Sequence, residues 1–310
     1  MRIRPKVVNG QQYYYMEESV RLEKPVSFSV FLGKRVPGKR GLEEKKQELL
    51  NKMYDSILSG AGRLYLSREQ LIEAEKRRRR HLTKIKKLGK AAKDEKDEVD
   101  TVNFVYTTLT TEGVPITKED AGLAFKFDQK NVKSLRDENL QVALDMIKGL
   151  RFVKESKKGI SLGFLLKLHA IIMAQYGKRA PGRLRSKQAY IYLKSYQRAE
   201  EIGFRPPAHR EVTKRLQTLI EWYNASEGAL NAIELAALLH LRFYMIHPFE
   251  DGNKRVSRLL LNKALFDKGY PLLNISKDSQ SYFDALIKAV ERKDEKAFAE
   301  FVYQQFLKQA

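Results

Sequence analysis

The sequence predicts a mainly α-helical protein, a helical bundle with one β-hairpin, and three observations carry that prediction. From residue 102 onward apolar residues recur at three- and four-residue spacing, as Leu235, Leu238, Leu239 and Phe243 do. The first 36 residues read as strands, because QQYYYMEESVRL and PVSFSVFLGK are rich in Tyr, Val and Phe and are punctuated by Gly10, Pro25 and Gly33. Between these parts lies a strongly charged stretch. The expected organisation is a small β-meander over 1–36, a charged helical arm over 37–100, and the main helical domain over 101–310.

Taken in order, the meander is too small to be stable alone and must pack on something. Residues 42–59 read as a helix that stops near Gly60 and Gly62. Gly60-Ala61-Gly62 lacks the third glycine of a dinucleotide fingerprint and no strand leads into it, so it reads as a loop. Ser67 followed by Gln70 is a capping-box pattern, and the helix it opens is expected to continue to about Ala92. Further helices are expected over about 102–111, 118–126, 131–153, 161–175, 209–224, 231–246, 253–268, 279–289 and 294–308. The exception is 182–194, GRLRSKQAYIYLK, which alternates and reads as a β-hairpin or extended flap.

Composition excludes several classes. With no cysteine among 310 residues, disulfides, thiol catalysis and thiolate metal sites are ruled out. The N-terminus has no apolar core of a signal peptide, and the most apolar stretch, Ala232–Ile246, carries Glu234, His240 and Arg242 and is too short to span a bilayer. The expectation is a cytoplasmic protein without a membrane partner. A net charge of +21 implies attraction to polyanions, and from Lys76 to Lys93 there are ten Lys or Arg and no acid. That run over 76–93 reads first as a solvated helix face with a charge-balanced end, and it is also where an acidic partner or a nucleic acid would dock. No H-E-x-x-H and no G-x-x-x-x-G-K-(S/T) occurs, so a metalloprotease of that type and a P-loop NTPase are excluded.

The stretch that carries chemistry is His247-Pro248-Phe249-Glu250-Asp251-Gly252-Asn253-Lys254-Arg255-Val256-Ser257-Arg258. Pro248 disfavours helical geometry at His247, so a helix ends there. Gly252 permits a tight turn, and Asn253 is the expected N-cap of the next helix. Free N–H groups at that helix start form a ready anion site. Arg255 and Arg258 share a face behind it and can fork onto phosphate oxygens. Asp251 offers a hard carboxylate suited to Mg²⁺, and His247 can take a proton from a hydroxyl. Together they describe a phosphoryl- or nucleotidyl-transfer site.

This stretch resembles the signature of the Fic (Fido) family, His-x-Phe-x-(Asp/Glu)-Gly-Asn-x-Arg-x-x-Arg, at every specified position. The resemblance extends over roughly residues 101–306, including Glu234–His240 as the helix before the motif, Pro181–Arg185 with the following hairpin as a target-binding flap, and Phe204–Pro207 with Trp222-Tyr223-Asn224 as the stretch that closes it. It implies a Fic-type helical bundle that transfers AMP from ATP to a hydroxyl of a target protein with Mg²⁺. His247 would be the base and Asp251 the metal ligand. Gly252, Asn253, Lys254, Arg255 and Arg258 would bind phosphate, Phe249 would anchor the loop, and Arg185, Ser186, Tyr190 and Ile191 would meet the target. Thr108-Leu109-Thr110-Thr111-Glu112-Gly113 is similar to the family's inhibitory motif, (Ser/Thr)-x-x-x-Glu-(Gly/Asn). The resemblance implies that Glu112 pairs with Arg258 and holds the site off, with Thr108 and Gly113 framing it.

Alternatives stay open at this point. Lys254 also occurs in the related Doc toxins, which transfer phosphate, whereas Gly252 is unlike them. Removal of AMP by the same site is a second alternative, and a basic nucleic-acid-binding regulator with an ATP-sensing core is a third. The target protein is not named by the sequence, and a homo-oligomer is left open.

Overall fold

The dipeptide Asn9-Gly10 sets the register of the N-terminal sheet. Both residues have positive φ, 50° and 76°, the conformation that a two-residue hairpin requires. Strand β1 (Arg2–Val8) therefore pairs antiparallel with β2 (Gln11–Arg21), Val8 opposite Gln11, and β2 pairs with β3 (Pro25–Gly33) in the order β1-β2-β3. Alternation directs Met16, Val30 and Leu32 to one face, where they meet Leu49 of helix α1 (Lys39–Leu58), with Tyr14, Phe28 and Leu42 around them. The structure, a computed structural model, describes residues 1–21, 25–59, 62–132, 135–157, 159–195, 200–275 and 280–309. The expected loop at Gly60-Ala61 lies outside the described residues.

The chain divides at Gly62, into Met1–Gly62 and Arg63–Ala310. The second unit holds α2 (Arg68–Lys87), α3 (Lys90–Thr111), α4 (Lys118–Gln129), α5 (Glu138–Glu155), α6 (Leu162–Ile172), α7 (Val212–Ser226), α8 (Ala232–Ile246), α9 (Asn253–Asp267), α10 (Gln280–Arg292) and α11 (Glu295–Gln309), with a hairpin of β4 (Ile191–Ser195) and β5 (Glu200–Phe204). Helix α8 is buried almost all round and packs on α7, α9 and α11, as a central helix must. Among the described residues no helix is long and apolar enough to cross a membrane.

Several boundaries differ from expectation, each for a local reason. Ser67 and Gln70 do form a capping box, but α2 ends at Lys87 because Leu88 is extended, and Gly89 opens α3. Helix α3 then runs unbroken for 22 residues to Thr111, across the boundary expected near residue 100. Helix α5 begins at Glu138 rather than near 131, because Asn131 leaves helical geometry with φ 55° and the Asp137 side chain caps the later start. The hairpin starts late within 182–194 and runs past it, with β4 at Ile191–Ser195 and β5 at Glu200–Phe204. Residues 182–190 are irregular, and Ile191 pairs with Phe204. The basic run is partly turned inward: Arg77, Arg78 and Arg79 pair with Glu73 and Glu75, Arg77 donates to the Leu307 carbonyl, and Arg78 donates to that of Lys268 at 2.6 Å.

Candidate active site

Helix α8 stops at Ile246 because His247, ahead of Pro248, takes the left-handed conformation, φ 49° and ψ 61°. Glu234 at the start of α8 is fully buried, its charge met by the backbone N–H groups of Leu64, Tyr65 and Leu66 at 2.7–3.1 Å. After His247 the chain turns through a loop and re-enters a helix at Asn253. Phe249 is fully buried against Phe243, and its ring stacks on His169 with centroids 3.7 Å apart and planes 2° from parallel. Gly252 has φ 75°, and a Cβ there would lie 2.8 Å from Met173 Sδ, so both backbone and space require glycine.

The expectation that Asn253 caps α9 is corrected. Gly252 holds the cap position without a side-chain bond, and Asn253 is the first helical residue. Its amide reaches back across the loop instead. Nδ2 donates to the Phe249 carbonyl at 2.8 Å, and the Phe249 N–H donates to Oδ1 at 3.0 Å. The first-turn N–H groups of α9 are thus left without an intrahelical acceptor and without a capping side chain.

His169, at the end of the apolar α6, was missed by the sequence reading. It is fully buried and uses both ring nitrogens. Nδ1 accepts from the Gly182 N–H at 2.9 Å, which leaves Nε2 to donate to the Asp251 carbonyl at 3.1 Å. Burial holds its pKa down at about 4, so the ring is neutral and this tautomer is fixed by its partners. One imidazole ties the start of the flap to the loop. The only sequence signal was a histidine within the apolar run LGFLLKLHAII, which when buried must have partners.

Arg185 is corrected from a target-contacting side chain to an internal clasp. It is buried, and its guanidinium donates to the carbonyls of His247 at 2.7 Å, of Lys187 at 2.9 Å and of Pro207. Its N–H donates to the Pro248 carbonyl at 2.9 Å. With its donors taken up inside the fold, it holds the flap to the loop. Ser186 and Tyr190 are exposed and Ile191 is half-buried. Tyr190 lies under the Arg205 guanidinium, 5.5 Å from its ring centre.

At the other end of the motif, Arg255 and Arg258 are both buried and both face α3. Arg258 Nη1 donates to the Thr108 carbonyl at 3.3 Å, and its guanidinium lies 5.1 Å from the Tyr282 ring centre. Glu112 follows α3 directly and Gly113 turns the chain with φ 80°. The ion pair of Glu112 is with Arg255, Oε2 to Nε at 3.8 Å, rather than with the expected Arg258. The reason is geometric: α3 meets Arg258 with a backbone carbonyl one turn earlier, and its end brings the carboxylate over Arg255. Asp251 flanks the same guanidinium from the loop, 3.6 Å from Nη2. Arg255 Nε and Nη1, Arg258 Nε and Nη2, and Glu112 Oε1 are buried and make no hydrogen bond. Lys254 extends over the Phe283 ring, 5.7 Å from its centre.

His247 is half-buried, with Nδ1 making no hydrogen bond, and burial pushes its pKa down to about 4. The imidazole is therefore in its basic form at neutral pH. Among the described residues no three His, Asp or Glu side chains cluster as a metal site. The lone carboxylate of Asp251 suits a Mg²⁺ held jointly by substrate phosphates.

Residues 159–265 match the model of the Fic/DOC family. The chain is similar to the protein adenylyltransferase Fic of Drosophila grimshawi, 29% identical over 174 residues that make up 55% of this chain, and to protein adenylyltransferase fic-1 of Caenorhabditis briggsae, 27% identical over 176 residues. It spans about a third of the length of these curated relatives. The fold is similar to that of a Fic-domain-containing signaling protein from Bacteroides thetaiotaomicron, with a TM-score of 0.64, 22% identity and 77% of this chain and 93% of that one covered. It is also similar to Fic-1 from C. elegans, with a TM-score of 0.61, 21% identity and 87% and 75% covered.

Proposed function

We propose that this Fic domain transfers AMP from ATP to a hydroxyl side chain of a target protein, and that Glu112 restrains it. The observation that carries the reading is the set of buried guanidinium nitrogens of Arg255 and Arg258 that make no hydrogen bond, beside the open N-terminus of α9 and the basic form of His247. Buried guanidinium groups with only long ion pairs and few hydrogen bonds are costly unless an anion meets them closely. A triphosphate laid along α9 supplies that anion. Its α-phosphate then lies toward His247 and its outer phosphates toward the arginines.

In this reading His247 accepts the proton of the target hydroxyl as its oxygen attacks the α-phosphorus, and pyrophosphate leaves. The charge of the bound phosphates raises the imidazole pKa from about 4 toward the working pH. Asp251 would hold Mg²⁺, which neutralises charge on the phosphates. The rest is positioning and electrostatic stabilisation by Gly252, Asn253, Lys254, Arg255 and Arg258. Ser186, Tyr190 and Ile191 would present the target segment. Glu112 competes with phosphate for Arg255, so the restraint acts on the first arginine of the motif.

The test uses ATP labelled at the α or the γ position. Retained α label that disappears in His247→Ala supports AMP transfer, whereas retention of γ label alone means Doc-like phosphate transfer. Release of AMP from pre-modified protein is the signature of the reverse activity. Glu112→Gly should raise auto-modification roughly tenfold or more and tighten ATP binding, as removal of a competing carboxylate requires. No change in either removes the restraint.

A further inference from the structure

We propose that Met1–Gly62 is a docking module that holds single-stranded nucleic acid across the open face of its sheet. The opposite face is occupied by α1 through Met16, Val30 and Leu32. Alternation places a different set on the open face: Arg2, Arg4 and Lys6 from β1, Tyr13, Tyr15, Glu17 and Ser19 from β2, and Ser27, Ser29 and Phe31 from β3.

The arrangement is ordered. At one end Tyr13, Tyr15 and Phe31 form an aromatic trio, with Phe31 centred 5.7 Å from Tyr13 and 5.4 Å from Tyr15, and Phe31 is 49% exposed. Register sets Lys6 opposite Tyr13 and Arg4 opposite Tyr15, and Lys6 Nζ lies 4.9 Å from the Tyr15 ring centre. At the other end the hydroxyls of Ser19 and Ser27 meet at 2.9 Å. Among the described residues Glu17 is the face's one acid, pairing Lys6 at 2.6 Å and Arg4 at 3.8 Å, so three cations stand against one carboxylate.

Aromatic rings flanked by cations on an open sheet are the two ingredients of a single-strand platform: rings stack on unpaired bases, while Arg, Lys and Ser hold phosphates. A duplex hides its base faces and gives Phe31 nothing to stack on. A protein partner fits less well, since protein interfaces are depleted in lysine at their centre. The chain's charge of +21 adds long-range attraction.

The full-length chain should bind a fluorescein-labelled single-stranded DNA of roughly 20 nucleotides at about micromolar concentration at low salt, with affinity falling linearly in log salt. Phe31→Ser and Tyr15→Ser should each weaken binding roughly tenfold, while Phe31→Tyr, which keeps the ring, should restore it. Arg4→Glu with Lys6→Glu should weaken binding similarly and flatten the salt slope by about two. Lys84→Glu with Lys87→Glu, exposed on α2, should change it less than about twofold. His247→Ala should bind as the parent does, which separates this proposal from the catalytic reading. Lack of saturable binding overturns the proposal. So does loss that follows the α2 pair rather than the sheet, equal or tighter binding of the matching duplex, or equal competition by a poly-glutamate peptide.

Discussion

His247 and Arg258 close the two ends of one short stretch, and the molecule treats those ends in opposite ways. Around His247 the loop is matched group by group: Arg185 binds the His247 carbonyl, Asn253 both backbone groups of Phe249, and His169 the Asp251 carbonyl. Nδ1 of the imidazole itself and the hydroxyl of the neighbouring Tyr244 are buried there without a hydrogen bond. Around Arg255 and Arg258 the balance reverses, with four guanidinium nitrogens and Glu112 Oε1 buried and without a hydrogen bond. On the proposed function, the end that would fix an angle of attack is held by many bonds, and the end that would read charge keeps its polarity for a substrate. Substitutions at the two ends should therefore part company in stability and activity.

The largest effect should come from His169→Ala. It removes two hydrogen bonds and a stacked ring from a fully buried position, and should lower stability by about 3 kcal/mol and activity by roughly a hundredfold. Thermal melting and α-label transfer read both. Next, Arg255→Gln should raise the KM for ATP roughly tenfold or more yet lower the melting temperature less than His169→Ala does, because its ion pairs with Glu112 and Asp251 are long. A melting temperature lowered as far as by His169→Ala would erase the contrast between the ends.

Acid sharpens the comparison further. His169 is held neutral with a pKa of about 4, against about 6.5 in the unfolded chain. As pH falls through 6.5 the unfolded chain takes up a proton that the folded ring refuses until about 4, so stability present above 6.5 is lost across that window, by roughly 3 kcal/mol at most from this group. Urea midpoints at three pH values between 7.5 and 4.5 measure it, and a flat response contradicts a ring held neutral by burial. The smallest effect belongs to Tyr190→Ala at the flap surface, 61% exposed, which should raise the KM for a protein target severalfold while leaving ATP affinity alone.

The loop was legible because its residues are contiguous, and a proline, a glycine and two arginines at fixed spacing each dictate a local conformation or charge. The meander was legible because runs rich in Tyr, Val and Phe, punctuated by Gly10, Pro25 and Gly33, are local signals too. What holds the loop was not legible. His169 lies 82 residues before Asp251 and Arg185 lies 62 before His247, and no local pattern shows that they meet. Arg185 read as a surface cation because an arginine's burial depends on carbonyls supplied by remote segments. The choice of Arg255 over Arg258 as the partner of Glu112 depends on where α3 ends, a matter of a single turn of helix.

That helix has a mechanical side. At about 1.5 Å per residue, the 22 residues of α3 form a rod of roughly 33 Å. Lys96, Asp97 and Asp100 lie half-buried along its N-terminal half, with Asp97 fastened to Lys154, and its C-terminal end delivers Glu112 to Arg255. A rod has no independent ends. A tilt applied where Asp97 meets Lys154 would displace the carboxylate at the C-terminal tip, so the ion pair of Glu112 with Arg255 has a lever outside the loop.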